Sequence, residues 1–242
     1  MSDTSKASVD AALASIRDIA GRPSTSRRSP GRRLPGLREV LLRVSGAVAA
    51  VLLPFLLMLR VSTSLYVESS ANHWVAIAFG LFAAGIVLLL YVLAIGRRMK
   101  VKGAFRFATR FIPVLVLSYA AYALLYLSAG NAKTSDVADG YGRLHPILRI
   151  AVSTWILADR DALVTDTERR ASDYASMGLS PRERSLHYSQ PDGYVHAVDL
   201  RTIGRSEIRN RFLSAYFKMV GFRTLRHVGT ADHLHVSLPV PD

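Results

Sequence analysis

The sequence predicts an α-helical N-terminal half with three transmembrane spans, followed by a small α+β domain on an antiparallel sheet. Three observations carry that prediction. Half of the 242 residues are hydrophobic, and three long runs hold much of this content. The formal charge of +13 is concentrated in segments beside those runs. Beyond residue 130 the pattern changes to short alternating segments and amphipathic helices divided by turn residues.

The apolar runs are residues 44–59, 74–95 and 111–129. The second, "WVAIAFGLFAAGIVLLLYVLAI", has 22 residues and no charge, against the roughly 20 that a helix needs to cross a bilayer core of about 30 Å. The third carries tyrosines toward its end, where an interfacial belt sits. The first is the shortest and contains Pro54. It spans by taking in Leu41 and Leu42, or residues 61–67, with Arg43 and Arg60 snorkelling to the interface. A buried hairpin in a soluble core would keep a polar stripe that 74–95 lacks. A cleavable signal peptide would place its apolar run earlier. "GRPSTSRRSPGRRLPG" reads as part of a disordered basic tail over 1–40. Residues 41–130 are then the transmembrane region and 131–242 the domain.

Charge sets the direction of the spans. Residues 1–43 carry nine Lys/Arg and four Asp/Glu, 97–110 carry six Lys/Arg and no acid, and 130–242 carry fifteen against thirteen. The excess flanks apolar runs, which marks membrane topology and argues against a nucleic-acid partner. The positive-inside rule places the N-terminus and the 97–110 loop in the cytoplasm, with the nearly uncharged "VSTSLYVESSANH" outside. Three spans then put everything after residue 130 on the outer side of the membrane. There is no cysteine, hence no disulfide and no thiolate nucleophile or ligand.

In the domain, "HPILRIAVSTWILAD" has helical spacing, with Pro146 placed to start it. "ALVTD" is a short strand, and "ASDYASMGLSPRER" is polar and irregular. "YVHAVDLRT" alternates as a strand. "SEIRNRFLSAYFKMVG" predicts a helix capped by Ser206, stopped by Gly221, with Ile208, Phe212, Tyr216 and Met219 as its apolar face. "FRTLRHV" and "HLHVSLPV" form a terminal hairpin.

Strand periodicity sorts the polar residues. Asp199 shares a face with Ala197, while His196 points the other way; His233 and His235 share a face. One face therefore gathers Asp199, His233 and His235, joined by His187 from the preceding loop. Imidazoles with a carboxylate make an open zinc site with a position left for water, and a nearby carboxylate can act as general base. His73, His145 and His227 have no partner spacing and read as structural or interfacial. Ser185 lacks a nucleophile-elbow context, which excludes the usual serine hydrolase.

The segments "VTDTERR", "SLHY", "HAVDLR" and "DHLHV" resemble, in order and strand context, the D-alanyl-D-alanine carboxypeptidase and L-alanyl-D-glutamate endopeptidase family of zinc peptidases over residues 163–238. The resemblance implies a domain of that family's fold type, zinc held by His187, Asp199 and His235, and peptidoglycan stem peptides as substrate. It implies that Asp232 is the general base, that Arg169 binds the substrate carbonyl or carboxylate, and that His233 supports the transition state. Two departures are visible. Eleven residues separate His187 from Asp199 where the family has six, so "SQPDGYV" reads as an insertion closed by a turn at Pro191-Asp192-Gly193, with His196 as the fallback ligand. Val195 stands where the family has glycine.

The reading is a membrane-anchored zinc peptidase of the cell envelope. Its rivals are a catalytically inactive zinc-binding member that binds envelope peptides or a protein, and a membrane-assembly or transport accessory protein whose polar residues are structural.

Overall fold

The computed structural model describes Ala11, Leu13, Ala14 and residues 36–169, 185–229 and 232–241. The basic tail expected over 1–40 lies outside these apart from the few positions named, as does the polar stretch 171–184. The chain divides into two compact units, Met1–Val44 and Ser45–Asp242. The boundary expected at 130/131 falls inside the second.

Three helices are long and apolar enough to cross a membrane: α1, Leu37–Glu68; α2, His73–Arg98; and α3, Ala104–Leu125. α1 extends the short first run at both ends, taking in Arg43 and Arg60, and carries Pro54 in its interior. α3 begins earlier and ends earlier than its apolar run, because backbone geometry sets helix ends more sharply than hydropathy does. Lys100 and Gly103 adopt positive φ of 54° and 83° to reverse the chain, so Arg106 and Arg110, expected in a loop, ride on α3.

α1 and α2 cross where a side chain is missing. A Cβ on Gly80 would lie 2.1 Å from Ser62 Oγ and 2.4 Å from the Met58 carbonyl oxygen. Small residues at such crossings let apolar helices pack where no hydrophobic driving force separates them from lipid. Because one of the atoms met is backbone, Gly80→Ala is expected to destabilise the protein by about 1–3 kcal/mol, read as a lowered Tm in detergent micelles.

The α+β part builds on the ends of the spans. Helices α4 (Ser135–Gly140) and α5 (Pro146–Ala158) follow α3. Tyr141 Oη donates to the carbonyl of Ala123 at 3.2 Å, and Arg149 Nη1 to that of Leu124 at 2.9 Å, so the last turn of α3 is stitched to α5. Burial pushes the Tyr141 hydroxyl well above the ordinary tyrosine value and keeps it a donor. Strands β1 (Val164–Asp166), β2 (Ala197–Arg201), β3 (Arg223–His227) and β4 (His233–Ser237) form one antiparallel sheet in the order β1-β2-β4-β3. Val198, Leu200, Leu234 and Val236 are buried on its core side with Ile147 and Ile150 of α5 and Leu213 and Phe217 of helix α6 (Glu207–Met219).

α6 starts at the Ser206 cap as expected, the Ser206 hydroxyl accepting the Arg209 N–H. Its core face differs from the expected one. Leu213, Tyr216 and Phe217 are buried, whereas Ile208, Phe212 and Met219 are exposed. The helix carries two apolar stripes, and periodicity alone does not say which one meets the sheet. Tyr216 belongs to the buried stripe; its hydroxyl donates to the Ala151 carbonyl at 2.9 Å.

Candidate metal centre

The site forms on the face of the sheet opposite the core. β2 and β4 pair in a register that sets Asp199 directly across from His235 and Arg201 across from His233. Alternation along both strands sends Leu200 and Leu234 inward, leaving the Asp199 and His235 side chains on the other face. His187 joins them from the loop before β2. That loop closes on itself: Gln190 N–H donates to the Tyr194 carbonyl and Gly193 N–H to the Gln190 carbonyl, both at 2.8 Å, while Ser189 pairs with Val195. Gly193 takes φ of 82°, where a side chain would be strained. The longer loop therefore returns His187 to the site. His196 points to the core side, fully buried, and is not part of this group.

His187 Nε2, His235 Nδ1 and Asp199 Oδ1 form a triangle with sides of 3.2, 2.9 and 3.3 Å. Ligands about 2.0–2.1 Å from a tetrahedral ion stand roughly 3.3 Å apart, so the spacing fits a small cation. His187 Nδ1 lies 2.6 Å from the Thr167 carbonyl oxygen, which can only accept. Nδ1 must then carry the ring proton, and Nε2 faces the triangle with a lone pair. With His235 protonated on Nε2, all three inward atoms are electron donors, and a cation at the centre is what relieves their repulsion. These residues are one of the groups that could hold a metal ion among the described residues.

The surroundings tune the carboxylate. Burial alone would raise the Asp199 carboxyl, but its contacts with His187 and His235 outweigh it, so Asp199 lies well below the usual carboxylate range and is ionised, as a metal ligand must be. Arg169 Nη2 donates to the outer oxygen, Asp199 Oδ2, at 2.6 Å, and its Nε bonds Asp166 Oδ2. Arg169 therefore holds the Asp199 carboxylate from behind, with Asp166 fixing the guanidinium; sequence reading missed Asp166. His233 Nε2 stands 3.6 Å from Asp199 Oδ2, and its ring stacks on His227 at 4.8 Å.

Asp232 lines the same cleft as Asp199 and His233, a space of about 480 Å³ whose walls also carry Lys133, Arg169 and Arg201. It stands outside the ligand triangle. Arg226 grips it with two bonds, Nε to Oδ1 at 3.1 Å and Nη2 to Oδ2 at 3.0 Å, and the Thr202 hydroxyl donates to Oδ1. Those bonds hold the Asp232 carboxyl below its ordinary value, Arg226 contributing most. Arg226 was not singled out in the sequence; its place on β3, beside the strand that follows Asp232, is the signal that could have found it.

No protein-family model, curated protein or solved structure matches this chain.

Proposed function

We propose that this protein is a membrane-anchored zinc metallopeptidase that hydrolyses peptidoglycan stem peptides in the cell envelope. The observation that carries the reading is the His187–Asp199–His235 triangle, three donor atoms of the preferred zinc-ligand types at metal-ligand spacing. Bound zinc supplies Lewis-acid polarisation of a scissile carbonyl. Around it, Arg169 and Thr167 hold two ligands in orientation, and Asp232 takes a proton from the attacking water and passes it to the leaving amine. The cleft wall mixes Asp166, Asp199 and Asp232 with Lys133 and Arg201, and those two cations suit a peptide bearing a free carboxylate, as stem peptides do.

The three apolar helices supply the membrane anchor. The α+β part contacts α1 near Tyr66 and α3 near Ala123, the ends remote from the basic turn at 99–103. With that turn in the cytoplasm, the site faces the cell wall. A periplasm-active reporter fused after residue 135 is expected to be active and one fused near residue 103 silent; the opposite pattern overturns the placement.

The test of function is incubation of the full-length protein in detergent, with zinc, on purified muropeptides. Release of D-alanine or a shortened stem peptide, lost on chelation and restored by zinc, supports the reading. Zinc uptake without any cleavage supports the inactive binding module instead. The observation favouring that second reading is the two-pronged grip of Arg226 on Asp232, which competes with proton transfer.

A further inference from the structure

A second set of metal-ligating side chains gathers where the α+β part meets the spans. His145 caps α5, His196 directly precedes β2, and Asp192 sits in the turn of the 188–195 loop. Their ligand atoms lie within 4.8 Å of one another. His196 Nε2 is 2.8 Å and His145 Nε2 3.8 Å from Asp192 Oδ2. Tyr66, in the last turn of α1, donates to the same oxygen at 3.2 Å, and the Tyr194 N–H donates to Oδ1 at 3.1 Å. Both histidines are 0 % exposed. His145 Nε2, His196 Nδ1 and the Nε2 of His73 at the start of α2 are buried without a hydrogen-bond partner. The His73 ring lies 5.2 Å from that of His145. Buried polar atoms are normally paired, and orphans such as His145 Nε2, 3.8 Å from the Asp192 carboxylate, call for an explanation of which a bound ion is one.

We propose that this cluster is a second divalent-metal site, with His145, Asp192 and His196 as ligands and zinc as the ion that such a set prefers. The site differs from the first in position and purpose. Its ligands come from the loop of the α+β part and from the start of α5, and Tyr66 of α1 donates to the Asp192 carboxylate, so an ion here would fix the group through which the α+β part holds the first span. The inserted loop that lengthens the path from His187 to Asp199 supplies its carboxylate.

The chemistry is consistent with a neutral imidazole set. His145 Nδ1 accepts the Ile147 N–H at 3.3 Å, which leaves the ring proton on Nε2. A metal at Nε2 would require that proton on Nδ1, which faces the Ile147 N–H, so the long capping bond would be lost. Access is through Asp192, whose side chain is 28 % exposed.

Zinc titration of the chelator-treated, full-length protein in detergent micelles tests the site. Wild type is expected to bind two ions, His235→Ala one, and His235→Ala with Asp192→Asn none, or one with affinity reduced at least about tenfold. Asparagine keeps the size of Asp192 and can still accept from Tyr66, which protects the fold. Zinc K-edge absorption on His235→Ala alone requires no change at the junction and is expected to show imidazole ligation. Absence of any ion in His235→Ala overturns the second site, as does an ion there that ignores both Asp192→Asn and His196→Asn. A single ion kept in His235→Ala but lost in Asp192→Asn upholds the second site and removes the first.

Discussion

Zinc binding at the first site is expected to weaken by at least about a hundredfold in His187→Ala and in His235→Ala, beyond the 10–100-fold that loss of an outer-shell partner costs. Each change deletes one corner of a triangle whose sides are only 2.9–3.3 Å. The two remaining groups cannot compensate, because Asp199 Oδ2 is already committed to Arg169. Arg169→Gln should fall between these variants and wild type, since it frees the outer oxygen without removing a ligand. His196→Asn should leave first-site zinc unchanged, its ring lying on the core side of β2. Metal content and competition with a coloured chelator measure all four. Full first-site affinity in His187→Ala would mean that the loop histidine is a bystander and the ligand set is misassigned.

That ligand set was legible in the sequence because strands impose a period of two. Alternation puts Asp199 with Ala197 on one face of "HAVDL" and His233 with His235 on one face of "HLHV"; that the two faces coincide comes from the β2–β4 pairing, which sets Asp199 opposite His235. His187 was set beside that face as a residue of the preceding loop and named a ligand through the family resemblance, since nothing in the loop itself announces where an eleven-residue excursion returns. The junction cluster was not legible. His145, His196 and His73 were read as unpartnered or as a fallback, because their meeting depends on how the spans dock on α5, and no periodicity encodes that. The core face of α6 failed for a different reason: Ile208-Phe212-Met219 and Leu213-Phe217 are both apolar stripes, and only packing against the sheet selects one. Existence and type of the membrane helices followed from length and composition, while their ends followed from turns at Lys100 and Gly103 that hydropathy does not see.

Asp232→Asn is expected to retain first-site zinc and the fold while lowering muropeptide hydrolysis by roughly a hundredfold or more, the scale of a general-base contribution. Asp232 is not a corner of the ligand triangle, so its loss leaves the metal where it is. It lines the cleft together with Asp199 and His233, and Arg226 and Thr202 keep its carboxyl ionised and therefore ready to accept a proton. The same grip limits how freely it can do so, which makes Arg226→Gln the informative companion. If Asp232 is the base, Arg226→Gln alters turnover while Asp232→Asn nearly abolishes it, and the double variant matches Asp232→Asn. If Asp232 only braces the approach to β4, the two single variants lower thermal stability by similar small amounts and leave cleavage intact. Equal, non-zero rates in wild type and Asp232→Asn sink the catalytic assignment. Zinc-loaded protein that cleaves nothing with either residue in place identifies the chain as a binding module, in which the pairing of Asp232 with Arg226 shapes the cleft and transfers no proton.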